Sequence, residues 1–270
     1  MCKIYDEGQC EIMKVVILAG GLGTRISEES HLRPKPMIEI GGIPILVHIM
    51  KIYSAHGFNE FIICAGYKQH MIKEYFADYF LHMSDVTYDF TNGKNEMIIH
   101  NSTSEPWKVT VVDTGLKTMT GGRVKRVKNY IGNEPFMLTY GDAVGNINIT
   151  ELVNFHNSHD KIATVSVYNF GQTKGVLDIT EDGLVESFRE KSDVDGDMIN
   201  IGYMVMNPEI FDYIEGDETV FEQEPMNNLV ANQQMMAYKH RGFWQCMDTL
   251  SEKEKLEKLW ADGQAPWKVW

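Results

Sequence analysis

Short apolar runs and amphipathic stretches alternate along the chain. Val15-Val16-Ile17-Leu18, Phe61-Ile62-Ile63-Cys64-Ala65 and Phe136-Met137-Leu138-Thr139-Tyr140 are continuous apolar or near-apolar segments, each closed by glycine within two residues. Runs that short read as strands buried on both faces, the pattern of a parallel sheet covered by helices. Helical spacing recurs between them. Ile45, Leu46, Ile49 and Tyr53 predict a helix over 44–56, with Pro44 in its first turn and Gly57 as its stop. Met71, Ile72, Tyr75, Phe76 and Tyr79 predict a second helix over 69–82, its aromatics in the core. Residues 83–112 alternate weakly, as edge strands do, and strengthen into a strand at Val109 to Thr114.

In the second half, helices are predicted over 150–159, 208–215, 222–233 and 250–260, and strands over 162–168, 199–206 and 243–249. Val176 to Ile179 and Leu184 to Phe188 flank the turn Thr180-Glu181-Asp182-Gly183 as a hairpin. His156 and His159 stand at i, i+3 on a helix without a carboxylate set to complete a metal site, and read as solvated surface histidines. The fold class is therefore α/β: a Rossmann-like, mixed and mostly parallel sheet flanked by helices, with a smaller β-subregion.

Chemistry concentrates where the first strand stops. Leu18 and Ala19 run into Gly20, Gly21, Leu22, Gly23, Thr24 and Arg25. Such a turn exposes backbone N–H groups to phosphate oxygens, and Arg25 adds a permanent cation. Lys35, between Pro34 and Pro36, supplies a second cation on a stiffened backbone. A P-loop is excluded because no Lys-Ser or Lys-Thr follows the glycines, and a dinucleotide loop because Ile26 stands where its last glycine belongs. The strand 136–140 ends in Gly141-Asp142, and the one at 243–249 runs into Asp248. A carboxylate at the carboxyl end of a buried strand faces the ligand crevice of an open α/β sheet, and beside polyphosphate its partner is Mg²⁺. The segment 115–123, ending in Met119-Thr120-Gly121-Gly122-Arg123, is either a hydrogen-bonding edge for a heteroaromatic base or a turn before a basic helix at 123–130.

Composition narrows the classes. The 270 residues are 43% hydrophobic and carry a formal charge of −13. That is a globular core without the basic face of a nucleic-acid binder. Cys2, Cys10, Cys64 and Cys246 have no C-x-x-C spacing, so neither zinc nor a disulfide framework is expected, and a reducing cytoplasm is. No apolar stretch reaches membrane-spanning length, so no membrane partner is expected. Residues 1–12 are polar, lack a signal-peptide core and precede a second methionine, Met13; they read as a disordered extension outside the fold.

Taken together, Leu18-Ala19-Gly20-Gly21-Leu22-Gly23-Thr24-Arg25, Pro34-Lys35-Pro36-Met37, Gly141-Asp142, Glu190-Lys191 and Trp244 to Thr249 resemble the sugar-1-phosphate nucleotidylyltransferases. The resemblance runs from Met13 to the end, and the 119–123 and 247–249 segments point to the cytidylyl branch. It implies one domain over 13–270, with 13–145 mainly for nucleotide and 146–270 mainly for sugar, working as a homo-oligomer, a hexamer or another form. It also implies CTP and a sugar 1-phosphate as substrates and Mg²⁺ as cofactor, held by Asp142 and Asp248. By the same resemblance Leu18 to Arg25, Lys35 and Gly141 contact the nucleotide, with Arg25, Lys35 and Asp142 catalytic. Thr118, Thr120 and Arg123 read the cytosine, and Glu190, Lys191, Asn200 and Gly202 take the sugar phosphate. Ala143, Ser192, Ile201 and Cys246 depart from the family pattern, three of them near where it holds the sugar. Two rival classes remain: a non-catalytic nucleotide sensor on the same fold, and a glycosyltransferase with a nucleotide-sugar donor, a class that usually shows an Asp-x-Asp metal motif. Intact Arg25, Lys35, Asp142 and Asp248 disfavour the first. The Asp-x-Asp triplets here lie in the polar loop 193–197, which disfavours the second.

Overall fold

A computed structural model of the chain describes residues 13–169, 176–180, 184–189 and 198–270. Its centre is a seven-stranded sheet of β1 (Val15–Ala19), β2 (Glu60–Ala65), β3 (Lys108–Asp113), β4 (Phe136–Tyr140), β5 (Ala163–Asn169), β6 (Met198–Met206) and β7 (Met235–His240). The spatial order is β7-β5-β6-β4-β1-β2-β3. β1 pairs in parallel with β2 and β4, and β2 with β3. β6 alone in this sheet runs antiparallel, to β4 and to β5. The sheet is therefore mixed and mostly parallel. Because β6 is reversed, its beginning lies at the edge where β1 and β4 end, so distant parts of the chain meet there.

Alternation along β1 divides the core. Val15, Ile17 and Ala19 face one cluster with the helix Ile45–Ser54, Leu256 and Trp267. Val16 and Leu18 face another with Val124, Val127, Phe136, Phe211 and Leu229. Successive strand side chains point to opposite faces, so a strand covered on both sides must be apolar throughout. Each such Val, Ile or Leu contributes roughly 1.5–3 kcal/mol of burial.

Several expectations are revised. Pro44 is extended and precedes the helix, which starts at Ile45. On the helix Gln69–His82 only Ile72 is fully buried. Tyr75 and Phe76 pack at the rim of the core, and Tyr79 stacks on Trp107 with ring centroids 5.5 Å apart. His156 is not a surface residue: it is buried, hydrogen-bonded through Nδ1 with Thr164 Oγ1 at 2.8 Å and through Nε2 with Asn207 Oδ1 at 3.2 Å. Burial pulls its pKa below the ordinary histidine value, so it braces the helix Ile149–Asn157 as a neutral ring. β7 was not expected: it is an edge strand, and of its residues only His240 is buried. The hairpin forms as expected from Val176–Ile179 and Val185–Arg189. Trp244–Cys246 pairs with Ala143–Gly145 outside the main sheet. Among the described residues, no helix is long and apolar enough to cross a membrane.

Candidate active site

A cavity of about 590 Å³ opens where β1 and β4 end and β6 begins. Leu18, Ala19, Gly20, Gly21, Gly23, Thr24 and Arg25 line it from the β1 loop, and Gly141 and Asp142 from the end of β4. Lys35, Thr118, Thr120, Arg123, Asn200 and Asp248 complete the expected residues on its wall. Leu22 is half exposed and is absent from the lining. Gly202 lies behind it: its φ is +81°, and a Cβ there would stand 2.3 Å from the Tyr140 ring. Ala143, Ile201 and Cys246, which depart from the family pattern, also line the cavity. Glu190, Lys191, Ser192 and the 193–197 loop fall outside the described residues.

The loop geometry is local. Gly23 takes left-handed dihedrals, φ 67° and ψ 33°, which a side chain would strain, and starts the short 3-10 turn Thr24–Ile26. Buried Ile26 anchors that turn and leaves the Arg25 side chain 71% exposed.

Lys35 collects the charges. Its Nζ donates to Asp142 Oδ2 at 2.7 Å and also to Asp248 Oδ1. Arg25 Nη1 donates to the other oxygen of Asp248 at 2.5 Å. Burial alone pulls the Lys35 ammonium down, but Asp142 and then Asp248 outweigh it and hold its pKa above the usual lysine value. Two backbone devices bring the aspartates together. The N–H of Met247 donates to the Asp142 carbonyl at 2.9 Å. Thr249 and Glu252 form a capping box at the start of the helix Leu250–Ala261, and Glu252 also accepts from the Asp248 N–H at 2.7 Å.

Beside the base contact expected of it, Arg123 has a structural role. It is buried, and Nη1 donates to Thr114 Oγ1 and the Gly115 carbonyl, each at 2.8 Å. It fills the space that a Cβ on Gly20 would need, 2.1 Å from Nη1. Gly20 is thus a glycine for packing against Arg123, and Arg123 holds the 114–116 turn against the β1 loop. Arg123→Ala is expected to lower stability by about 2–4 kcal/mol, since charged hydrogen bonds are lost and buried acceptors stranded. The CTP-to-UTP ratio should stay unchanged. Thermal unfolding beside nucleotide competition checks both.

Sequence reasoning missed Tyr140, Glu222, Met119 and Trp244 on the same wall. Tyr140 was findable, being the strand-end residue before Gly141-Asp142. Glu222 carries no local signal. Its carboxylate accepts from the Tyr140 hydroxyl at 2.6 Å and from the Thr120 hydroxyl at 2.6 Å. Burial first, and then Glu222, push the Tyr140 pKa far up, so that phenol stays a donor.

The donor set fits a hard divalent cation. Lys35 and Arg25 are neutralised by Asp142 and Asp248, so this quartet offers a polyphosphate no net positive charge. Mg²⁺ is typically held by one or two carboxylates plus substrate phosphates, and two carboxylates converge here. Among the described residues no cluster of three or more His, Cys, Asp or Glu forms an all-protein cage.

A nucleotidyl transferase family model matches residues 14–262. A glucose-1-phosphate cytidylyltransferase of Salmonella typhi is 55% identical over 259 residues, covering 96% of this chain and 100% of its own. A probable glucose-1-phosphate cytidylyltransferase of Bacillus subtilis (strain 168) is 45% identical over the same shares. Among solved structures, HddC from Yersinia pseudotuberculosis complexed with GMP-PN aligns with a TM-score of 0.64 at 23% identity, covering 92% of this chain and 100% of that one. UDP-glucose pyrophosphorylase complexed with UDP-glucose aligns with a TM-score of 0.65 at 16% identity, covering 93% and 99%. At those identities the two structures show a shared fold.

Proposed function

The chain belongs to the nucleotidyl transferase family, and on that footing we propose that it transfers the cytidylyl group of CTP to α-D-glucose 1-phosphate, giving CDP-glucose and pyrophosphate. The observation that carries this reading is the 55% identity, over 96% of the chain, with a glucose-1-phosphate cytidylyltransferase. The geometry supplies the chemistry. An oxygen of the sugar phosphate bonds to the α-phosphorus of CTP. The bond from that phosphorus to the bridging oxygen breaks, and its electron pair leaves with pyrophosphate. The attacking phosphate is already ionised at neutral pH, so the step needs alignment and relief of anion repulsion more than a base.

In this reading the β1 loop, residues 18–24, and Gly141 hold the triphosphate through backbone N–H groups. Arg25, exposed at the loop's rim, stabilises charge on the departing pyrophosphate. Lys35 neutralises the α-phosphate and the attacking phosphate. Asp142 and Asp248 would hold Mg²⁺, which when bound offsets phosphate charge. Thr118 and Thr120 face the base. Asn200 and Gly202, with Glu190 and Lys191, serve the sugar phosphate; Asn200 Oδ1 accepts from the Gly202 N–H at 2.9 Å, which ties the first two together. Residues 13–145 form mainly the nucleotide half and 146–270 mainly the sugar half. Tyr88, Phe90, Met97 and Ile98 are exposed apolar side chains on the hairpin at 84–102, and they suit a homo-oligomer. Free Cys64 and Cys246 suit the cytoplasm.

CTP is expected to exceed UTP and dTTP in kcat/KM by at least about tenfold, or about 1.4 kcal/mol. Pyrophosphate release from the four nucleotides against a panel of sugar 1-phosphates tests this. Equal turnover of UTP or dTTP would overturn the choice of CTP, and a better sugar phosphate would overturn the choice of glucose.

A further inference from the structure

Glu222 is a third carboxylate on the cavity wall, and neither Lys35 nor Arg25 engages it. Among the described residues it has no cationic partner. Its contacts are two hydroxyls, Thr120 on Oε2 and Tyr140 on Oε1, each at 2.6 Å. A carboxylate oxygen has two lone-pair sites, so each oxygen keeps one acceptor position after these bonds.

The contact with Thr120 changes what that residue offers a ligand. Its hydroxyl proton goes to Glu222, and its oxygen accepts from the Phe221 N–H at 2.9 Å. Thr120 therefore has no donor left. The two segments are also tied along their backbones. Met119 N–H donates to the Asp217 carbonyl at 2.8 Å, and Gly121 N–H to the Thr219 carbonyl at 2.9 Å. Arg126 forks onto the Asp217 carboxylate, with Nε at 2.8 Å. Residues 217–222 thus form one unit with the 118–123 segment, and at Thr120 and Glu222 that unit presents acceptors.

Resting on the cytidylyl reading, we infer that Glu222 is a specificity-determining residue, its carboxylate accepting a hydrogen bond from the exocyclic amino group of cytosine. Uracil and thymine carry a carbonyl at that position. They would set an acceptor against an anion already bonded to two hydroxyls, leaving both oxygens without a proton between them. A site built to receive a hydrogen bond rejects the analogue lacking the donor far more strongly than a shape-matched pocket does. Carboxylates are natural partners of the cytosine amino group for this reason.

The test is Glu222→Gln, assayed with CTP and UTP in competition. A glutamine can turn its amide NH₂ toward the uracil carbonyl, so the CTP-to-UTP ratio of kcat/KM should fall at least about tenfold. The KM for glucose 1-phosphate should hold within about twofold. Glu222→Asp, with its carboxylate withdrawn by one methylene, should weaken CMP binding more than UMP binding by calorimetry. This second variant decides the matter if the glutamine protein does not fold. An unchanged nucleotide ratio overturns the assignment. So does a raised KM for glucose 1-phosphate at constant ratio, which would place Glu222 on sugar hydroxyls. A wild-type enzyme without CTP preference would instead sink the cytidylyl reading itself, and Glu222 as base selector with it.

Discussion

Asp142→Asn and Asp248→Asn should each lower kcat by about 10²-fold or more, the scale of losing one preorganised electrostatic contact at a reacting phosphate. Neither change should disturb the fold. Asparagine is isosteric, and its carbonyl oxygen can still accept from Lys35, the shared partner of both aspartates. The Met247 bond to the Asp142 carbonyl and the capping box at Thr249 belong to backbone and to Glu252, so they survive as well. What disappears is one negative charge from a pair that converges on a single ammonium. The half-saturating Mg²⁺ concentration should therefore rise along with the fall in kcat. The double variant should cost less than the sum of the two, because residues that act on one partner are not additive. Pyrophosphate release followed across a Mg²⁺ titration reads all three quantities. Turnover close to wild type at limiting Mg²⁺ would show that the carboxylates only hold Lys35 in place.

Lys35→Ala should be at least as damaging to activity, and here the tertiary structure alters what else is expected. From sequence, Lys35 and Arg25 look alike: cations placed for phosphate and dispensable to the fold. Arg25 fits that description, with a side chain 71% exposed. Arg25→Ala should lose activity with an almost unchanged Tm, since exposed ion pairs contribute little. Lys35 does not fit it. Its side chain is only 9% exposed and separates two aspartates that are themselves 29% and 21% exposed. Removing it leaves two carboxylates pointing at an uncharged gap. Breaking a fully buried pair costs about 3–5 kcal/mol. The partial exposure of both aspartates lowers that to about 1–3 kcal/mol, or a Tm drop of about 3–10 °C for a chain of this size. Added Mg²⁺ should narrow the deficit, since a divalent cation held by the two carboxylates replaces the lost ammonium. Thermal unfolding of Lys35→Ala with and without Mg²⁺ checks this. A deficit that Mg²⁺ leaves unchanged would mean that the packing of the lysine, and not the repulsion it relieves, sets the stability.

The central strands are legible in the sequence because burial on both faces leaves no room for polar residues. Val15 to Leu18 and Phe136 to Leu138 announce themselves by composition alone, and glycines mark where each run stops. The phosphate-facing residues are legible for a related reason. A charged side chain at the end of a buried strand, as at Asp142, or next to a glycine turn, as at Arg25, has no role in a core. β7 is not legible, because an edge strand with one wet side has no obligatory apolar pattern. The surroundings of His156 are not legible either, since a neutral buried histidine and a solvated one look the same until Thr164 arrives from β5 and Asn207 from the end of β6.

The tertiary structure alone decided how the charged groups are paired. That Lys35 joins Asp142 to Asp248, that Arg123 supports Gly20, and that Glu222 reaches Thr120 and Tyr140 all depend on contacts between residues far apart in the chain. Local sequence specifies dihedral preferences and which faces must leave water. It specifies no partner for a hydrogen bond, because a carboxylate is equally satisfied by any donor the fold delivers. The sequence by itself determined the central strands, the phosphate-facing loop and the residues that can meet an anion. Only the packed chain decided which of those residues hold one another and which are left to meet the nucleotide.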